Sequence, residues 1–186
     1  MKTTSPEKLL LDVVSVLDKL KIKYFITGGY AVSVWGSPRS TADIDIVVEF
    51  IKPDVDLLLR ALRKISNAGY VDEDTAKYAI IHKGEFNFID PETGLKVDFW
   101  VSKKDKRAET EYKNRIAKKI NNKKVYFISP EDLIISKLIW YNETMSSRHL
   151  EDAESVIKIS KIDLNYLKKQ ANLLNVLEVL NSILYK

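Results

Sequence analysis

The chain has 186 residues, which is enough for one α/β domain with a helical appendage and too few for two large independent domains. It contains no cysteine and two histidines, so disulfides and thiolate metal sites are excluded and any metal is expected to be a hard cation bound by oxygen. The net charge of +4 suits a polyanionic partner such as a nucleotide or RNA, although a lysine-rich composition alone produces the same value.

The first predicted elements are a helix, a strand and a second helix. Ser5 is a typical N-cap and Pro6 a typical first helical residue, and the apolar residues that follow recur at helical spacing. A short apolar strand is predicted at 24–26. It stops at the double glycine 28–29, which precedes a brief helix at 31–35.

The middle of the chain is predicted to continue with strands around one helix. Residues 44–50 alternate carboxylate and apolar side chains before turning wholly apolar, as in a strand with one polar end. Pro53 is expected to open a helix over 54–65, and residues 67–69 to end it. Three further β-like runs then predict a meander, at 78–82, 85–89 and 95–101.

The last third changes from strand to helix. After the charged stretch 103–119, the pair Asn121-Asn122 is expected to turn a hairpin into a strand at 124–128. Ser129 starts a close variant of the capping box, followed by a first-turn proline. The remainder contains no glycine, and its leucine and isoleucine spacing predicts three or four helices.

Two carboxylates on the strand at 44–50 indicate a metal site. Side chains alternate along a strand, so Asp43 and Asp45 project on the same side while Ile44 and Ile46 face the core. Two carboxylates about 5 Å apart repel by roughly 3 kcal/mol at an effective dielectric of about 20, which favours a bound cation or a shifted pKa. Mg²⁺ meets that need with oxygen ligands. The alternative is a surface strand with two solvated acids.

Asp98 is the natural third acid. It lies in an otherwise apolar strand, where an unpaired carboxylate is costly. If that strand neighbours the one with the paired aspartates, three carboxylates can hold two metal ions, and Asp98 can accept the proton of an attacking hydroxyl. The alternative is a structural partner of Lys96, and Trp100 is interpreted as a core residue.

The double glycine is predicted to bind phosphate. Gly28-Gly29 leaves backbone N–H groups free of any Cβ, and the helix that follows favours negative charge at its N-terminus. Arg39 can clamp a triphosphate bidentately, with the hydroxyls of Ser40 and Thr41 beside it. The alternatives are a simple helix-entry turn for the glycines and a surface loop for Arg39.

These residues resemble a known superfamily. Gly-Gly-x-Ala from residue 28, Arg-x-Thr from residue 39 and Asp-Ile-Asp-Ile from residue 43 are similar to the DNA polymerase β-type nucleotidyltransferases, and within them to the AbiE-type toxin group and related minimal nucleotidyltransferases. The resemblance covers about 24–159. It implies phosphate binding by the glycine turn and metal binding by the carboxylates, that is, roles for Gly28, Gly29, Asp43, Asp45 and Asp98.

The helical tail carries a weaker part of the same resemblance. Ser129 to Lys137, and Arg148 to Asp152, are similar to late motifs of AbiE-like proteins. The resemblance implies that Lys137, Arg148 and Asp152 face the nucleotide. A lysine snorkelling from an apolar helix face and an ordinary Arg148–Asp152 ion pair are the alternatives. Both histidines are expected to have no special role.

The implied fold is α/β (α+β), a nucleotidyltransferase fold with a twisted mixed sheet flanked by helices. We expect a core at 1–128 and a C-terminal helical subdomain at 129–186 that closes one side of the cleft. No apolar run is long enough to span a bilayer and residues 1–8 lack the pattern of a secretory signal, so a cytoplasmic protein without membrane association is expected.

The predicted activity is Mg²⁺-dependent transfer of a nucleoside monophosphate from a nucleoside triphosphate to a hydroxyl of RNA, a protein or a small molecule. Two Mg²⁺ ions are expected, with Mn²⁺ as the alternative ion. The protein is predicted to be an enzyme, with a role as the toxin of a toxin–antitoxin pair as one possibility. The competing hypotheses are a nucleotide-binding regulator or antitoxin-like partner with little turnover, and an interaction module whose helical tail binds a small helical partner.

Overall fold

A computed structural model describes residues 5–41, 43–50, 55–66 and 68–185. The strands in these ranges are β1 Lys23–Thr27, β2 Asp43–Glu49, β3 Glu85–Asp90, β4 Leu95–Val101, β5 Ile116–Ile120 and β6 Lys123–Phe127. The helices are α1 Pro6–Lys19, α2 Gly28–Trp35, α3 Val55–Arg63, α4 Glu73–His82, α5 Lys106–Asn114, α6 Pro130–Thr144, α7 Ser147–Ile159, α8 Leu164–Leu173 and α9 Leu177–Leu184. None of the described helices is both long and apolar enough to cross a bilayer.

The described strands form one sheet in the order β3-β4-β2-β1-β6-β5. The pairs β2–β4 and β1–β6 are parallel, whereas β1–β2, β3–β4 and β5–β6 are antiparallel. The predicted mixed sheet flanked by helices is therefore confirmed. Register places Thr27, Asp45 and Asp98 side by side on three neighbouring strands, which brings the predicted third acid next to the paired aspartates.

The two sides of β2 have different environments. Ile44, Ile46 and Val48 are buried in the main hydrophobic core, while the alternate residues Asp43 and Asp45 are only partly buried. Because side chains alternate along a strand, the carboxylates lie on the side opposite the apolar core residues. The sequence alternation predicted this arrangement.

Local capping confirms two predicted helix starts. The Ser5 side chain accepts a hydrogen bond from the Lys8 amide at the start of α1, and the Ser129 hydroxyl accepts one from the Asp132 amide at the start of α6. Each serine satisfies a backbone donor that the helix leaves without a partner. Four helices follow residue 129 in the described part of the chain, within the predicted range. The domain boundary near 129 stays a prediction.

The strand predicted at 78–82 is wrong, because these residues belong to helix α4. The Asp72 side chain accepts a hydrogen bond from the Thr75 amide and so caps the helix. Its buried residues Ala76, Ala79 and Ile80 are spaced as one helix face, not as alternate strand positions. The predicted meander is therefore only the β3–β4 hairpin.

Other predicted boundaries also differ from the structure. Helix α2 begins at Gly28, so the double glycine forms its first turn instead of preceding it. Helix α3 ends at Arg63, before the predicted end at residue 65, and the predicted signals Pro53, Asp54 and Asn67 lie outside the described residues. The charged stretch contains α5 and β5, and the Asn121-Asn122 turn joins β5 to β6 as predicted, with positive φ at both residues.

Candidate active site

A cavity of about 690 Å³ lies over the polar side of β2, between the sheet and helices α6 and α7. Its volume falls within the range of small-ligand sites. Every predicted site residue except Asp98 lines it: Gly28, Gly29, Arg39, Ser40, Thr41, Asp43, Asp45, Lys137, Arg148 and Asp152. Residues from the first 45 positions and from the helical tail thus meet in one space.

The glycine turn lies directly against one of the paired carboxylates. Gly28 has φ of +62°, and a Cβ placed there would overlap Asp45 Oδ2. Only glycine combines this left-handed backbone with so close an approach. Glycine at this position therefore allows the backbone of the turn to reach the carboxylate.

Asp45 occupies an environment that disfavours its charge. Burial, followed by repulsion from Asp98 and Asp43, raises the pKa of the Asp45 carboxyl, whereas a hydrogen bond from Trp100 and the charge of Lys137 lower it. Trp100 Nε1 donates to Asp45 Oδ1 at 3.4 Å. The net direction is upward, as expected for a carboxylate desolvated beside like charges.

Asp98 is buried and half satisfied. Its side chain is 7% exposed, and its Oδ2 lies 2.9 Å from Lys96 Nζ. Its Oδ1 is buried without a hydrogen-bond partner. The same Lys96 ammonium lies 4.0 Å from Asp43 Oδ1, and the hydrogen bond to Asp98 is the main cause of the raised pKa of Lys96. The structure thus contains the predicted Lys96 partner, and it leaves one Asp98 oxygen free.

The three carboxylates fit a hard divalent cation by donor chemistry. Asp45 offers its oxygens at the glycine turn, and Asp43 lies two residues before it on the same side of β2. The Asp98 Oδ1 atom has no partner and is a buried acceptor that calls for a positive charge. No group of three or more acidic or histidine side chains in the described ranges already converges on one ion position. Lys96 provides the positive charge nearest to Asp98.

The phosphate side of the cavity is formed by the first turn of α2 and the loop after it. A Cβ on Gly29 would lie 2.8 Å from Arg39 Nη2 and 3.0 Å from Thr41 Oγ1. Thr27 is the N-cap residue of α2, but its side chain makes no capping hydrogen bond to the helix. The backbone N–H groups of the first turn of α2 therefore lie beside the Arg39 guanidinium without a side-chain cap, an arrangement that attracts anions.

Arg39 and Lys137 share one buried carboxylate. Arg39 contacts Asp152 through Nε at 2.8 Å from Oδ1 and Nη2 at 3.1 Å from Oδ2, and Lys137 Nζ lies 2.8 Å from Oδ2. The side chains of Lys137 and Asp152 are 8% and 4% exposed, so this lysine does not snorkel to the surface. The oxygens of Asp152 contact Arg39 and Lys137, and not Arg148, which was the partner in the alternative interpretation.

Several cavity residues escaped the sequence predictions. Trp100 was interpreted as core but lines the cavity, and Trp140, Ser136 and His149 join it from α6 and α7. His149 stacks on Trp140 with ring centroids 6.3 Å apart, and burial together with Lys137 lowers its pKa. The sequence could have predicted the position of Trp100, because this residue lies two residues after Asp98 and therefore on the same side of the strand.

A second cavity of about 300 Å³ adjoins the first. Both are lined by Trp100 and Trp140 and by the ion pair of Arg107 and Glu111, whose Nε and Oε1 are 2.8 Å apart. Burial raises the pKa of Glu111. The cleft therefore continues past Asp45 into a region with aromatic walls.

Solved structures resemble this fold at low sequence identity. An antigenic nucleotidyltransferase-like protein from Paracoccidioides brasiliensis is 24% identical, with a TM-score of 0.57 over 98% of this chain and 94% of that one. The lincosamide antibiotic adenylyltransferase LnuA, bound to lincomycin, is 14% identical, with a TM-score of 0.58 over 85% of this chain and 100% of that one. The antibiotic-resistance factor ANT(2'')-Ia is 14% identical, with a TM-score of 0.60 over 95% and 91%. No curated protein matches the sequence.

A family model also matches nearly the whole chain. It runs over residues 8–185 and so includes both the glycine and aspartate motifs and the helical tail. The chain belongs to a family of nucleotidyltransferases of unknown function, DUF6036.

Proposed function

We propose that this protein transfers a nucleoside monophosphate from a nucleoside triphosphate to a hydroxyl group of a small acceptor, with Mg²⁺ as the cofactor. The observation that supports this most directly is the contact of the Gly28 turn with Asp45, in the same cavity as the cations Arg39 and Lys137. Carboxylates that face a phosphate-binding turn suit a metal-bound triphosphate. When bound, the metal would neutralise charge on the oxygens of the transferring phosphate.

Residues of the chain itself bind the phosphates and accept the proton in this reaction. The amides of the α2 turn, with Arg39 and Lys137, hold the β- and γ-phosphates and stabilise the pyrophosphate as it leaves. The acceptor oxygen forms a bond to the α-phosphorus while the bond from that phosphorus to pyrophosphate breaks. Asp98 accepts the acceptor's proton, because its Oδ1 has no partner in the folded chain.

We assign the acceptor to the second cavity. Its volume of about 300 Å³ suits a small molecule, and the indole walls can pack on the apolar face of a hydroxylated ring. Two structural neighbours are described with small antibiotics, lincomycin in one case and adenylyl-2''-tobramycin in the other. RNA and protein acceptors, an AbiE-type toxin role and an antitoxin partner stay predictions of the sequence.

The test is a label-transfer assay with each α-labelled triphosphate and Mg²⁺. The acceptors are lincomycin, tobramycin, total tRNA and a cell extract, each given to wild type and to the Asp43→Asn/Asp45→Asn double variant. Asp12→Asn is the matched control, because Asp12 is a partly exposed carboxylate on α1 outside the cavity. Transfer to a small molecule by wild type and the control alone is expected, while equal transfer by the double variant would refute the assigned site.

A nucleotide-binding regulator is the second candidate. It is favoured by the Lys96–Asp98 ion pair and by the position of Asp98 outside the cavity lining, since both place the proposed base away from an acceptor. A regulator would bind triphosphate and transfer none of the label. Equilibrium binding of a fluorescent ATP analogue, measured beside the transfer assay, separates the two candidates.

A further inference from the structure

Lys96 lies inside the carboxylate cluster that the proposed function assigns to metal ions. It is the register partner of Asp43 on the parallel strand β4, two residues before Asp98 and on the same side of that strand. Its ammonium is 2.9 Å from Asp98 Oδ2 and 4.0 Å from Asp43 Oδ1. The positive charge is thus attached to the same strand as the third acid.

The Lys96 ammonium already supplies the positive charge that a divalent ion would bring to Asp98. It lies 2.9 Å from Asp98 Oδ2, so a divalent ion bound by that oxygen would lie at a distance where like charges repel strongly. The oxygens of Asp43 and Asp45 remain for one ion shared with the triphosphate, and Asp98 Oδ1 stays free to accept a proton.

We propose that the Lys96 ammonium replaces one of the two divalent ions predicted from the sequence, so that the nucleotide complex holds a single ion. This inference rests on the proposed function, because it assumes a metal-bound triphosphate in the cavity. Lys96 acts here as a fixed cation that keeps Asp98 oriented. Removing its charge opens the second ion position.

Ion counting tests the inference without any turnover. Bound Mn²⁺ is counted by electron paramagnetic resonance at saturating α,β-methylene-ATP, in wild type, Lys96→Met and Lys96→Arg. Lys23→Met is the matched control, because Lys23 pairs with Glu49 across the neighbouring strands at the far end of β2. We expect one ion in wild type, Lys96→Arg and the control, and two in Lys96→Met.

Each other outcome has a definite meaning. Two ions in wild type, or one ion in a folded Lys96→Met, overturns the inference while leaving the proposed function in place. No bound Mn²⁺ in any variant overturns both. If Lys96→Met does not fold, the wild-type count still decides the question.

A thermal measurement gives an independent readout. Without divalent ions, Lys96→Met should melt below wild type, since Asp43 and Asp98 lose their only lysine partner among the described ion pairs. Added Mn²⁺ should then raise its melting temperature more than that of wild type or of Lys23→Met. An equal rise in all three proteins contradicts a second ion position.

Discussion

Replacing Asp152 by asparagine removes the only buried carboxylate that contacts two cations in the described ion pairs. Asp152 is 3% exposed, and its two oxygens contact Arg39 and Lys137 at 2.8–3.1 Å. The variant leaves a buried lysine ammonium and a partly buried guanidinium without a counter-charge. Lys137→Met is the informative comparison, because it leaves Asp152 paired with Arg39.

The structure sets different magnitudes for the two changes. Breaking a buried ion pair by removing one partner costs about 3–5 kcal/mol, because an uncompensated charge remains. In a chain of this size each kcal/mol shifts Tm by about 2–4 °C, so Asp152→Asn should lower Tm by roughly 6–20 °C. Lys137→Met should lower it by about 5 °C or less, since no buried charge is left unpaired and methionine fills most of the lysine volume.

Thermal melts followed by circular dichroism measure both effects, with Glu151→Gln on the exposed side of α7 as the control. ATP should raise the Tm of Asp152→Asn more than that of wild type, because a triphosphate supplies the negative charge that the variant has lost. A Tm of Asp152→Asn within 2 °C of wild type, or a loss equal to that of Lys137→Met, would refute this account of the buried pair.

Three further outcomes follow from the Asp45 environment. Because burial raises the pKa of Asp45, the folded chain holds this proton to higher pH than the unfolded chain, so the ionised group lowers stability at neutral pH. Asp45→Asn should therefore raise Tm at pH 7.5, and the gain should vanish as the pH falls to the ordinary aspartate range. A gain that persists at that low pH contradicts the reasoning. Gly28→Ala should lower Tm by several degrees and abolish nucleotide transfer, because residue 28 has positive φ and the added Cβ would overlap Asp45. Gly94→Ala is the control, since Gly94 also has positive φ but has open space around it. This control should lower Tm and leave transfer intact. Trp100→Phe removes a hydrogen bond that lowers the pKa of Asp45. The acidic limb of the pH–activity profile should therefore move to higher pH. A limb that does not move would show that Asp45 does not control this part of the profile.

Sequence reasoning succeeded where the signal is local. The N-caps Ser5 and Ser129 act within three residues of themselves, and the alternation of β2 follows from strand geometry alone. It failed at 78–82, where a short apolar run is equally compatible with strand and helix. The capping side chain of Asp72, outside that run, decided for helix.

Contacts between distant parts of the chain could not be read from the sequence. Arg39 and Asp152 are 113 residues apart, and only the packing of α6 and α7 against α2 brings them together. The sequence predicted a triphosphate clamp for Arg39 and a nucleotide-facing role for Asp152, with a helix ion pair to Arg148 as the alternative. The structure shows that these two residues bind each other.

What the sequence determined by itself is the chemistry of each segment: a glycine turn without side chains, two carboxylates on one side of a strand, and a third in an apolar strand. These properties depend on neighbours one to four residues away, where backbone geometry is known in advance. The tertiary structure alone decided which charges neutralise one another. Register placed Asp98 beside Asp45 and Lys96 beside Asp43, and helix packing placed Asp152 between two cations, because electrostatic energy depends on distance in space and not on distance along the chain.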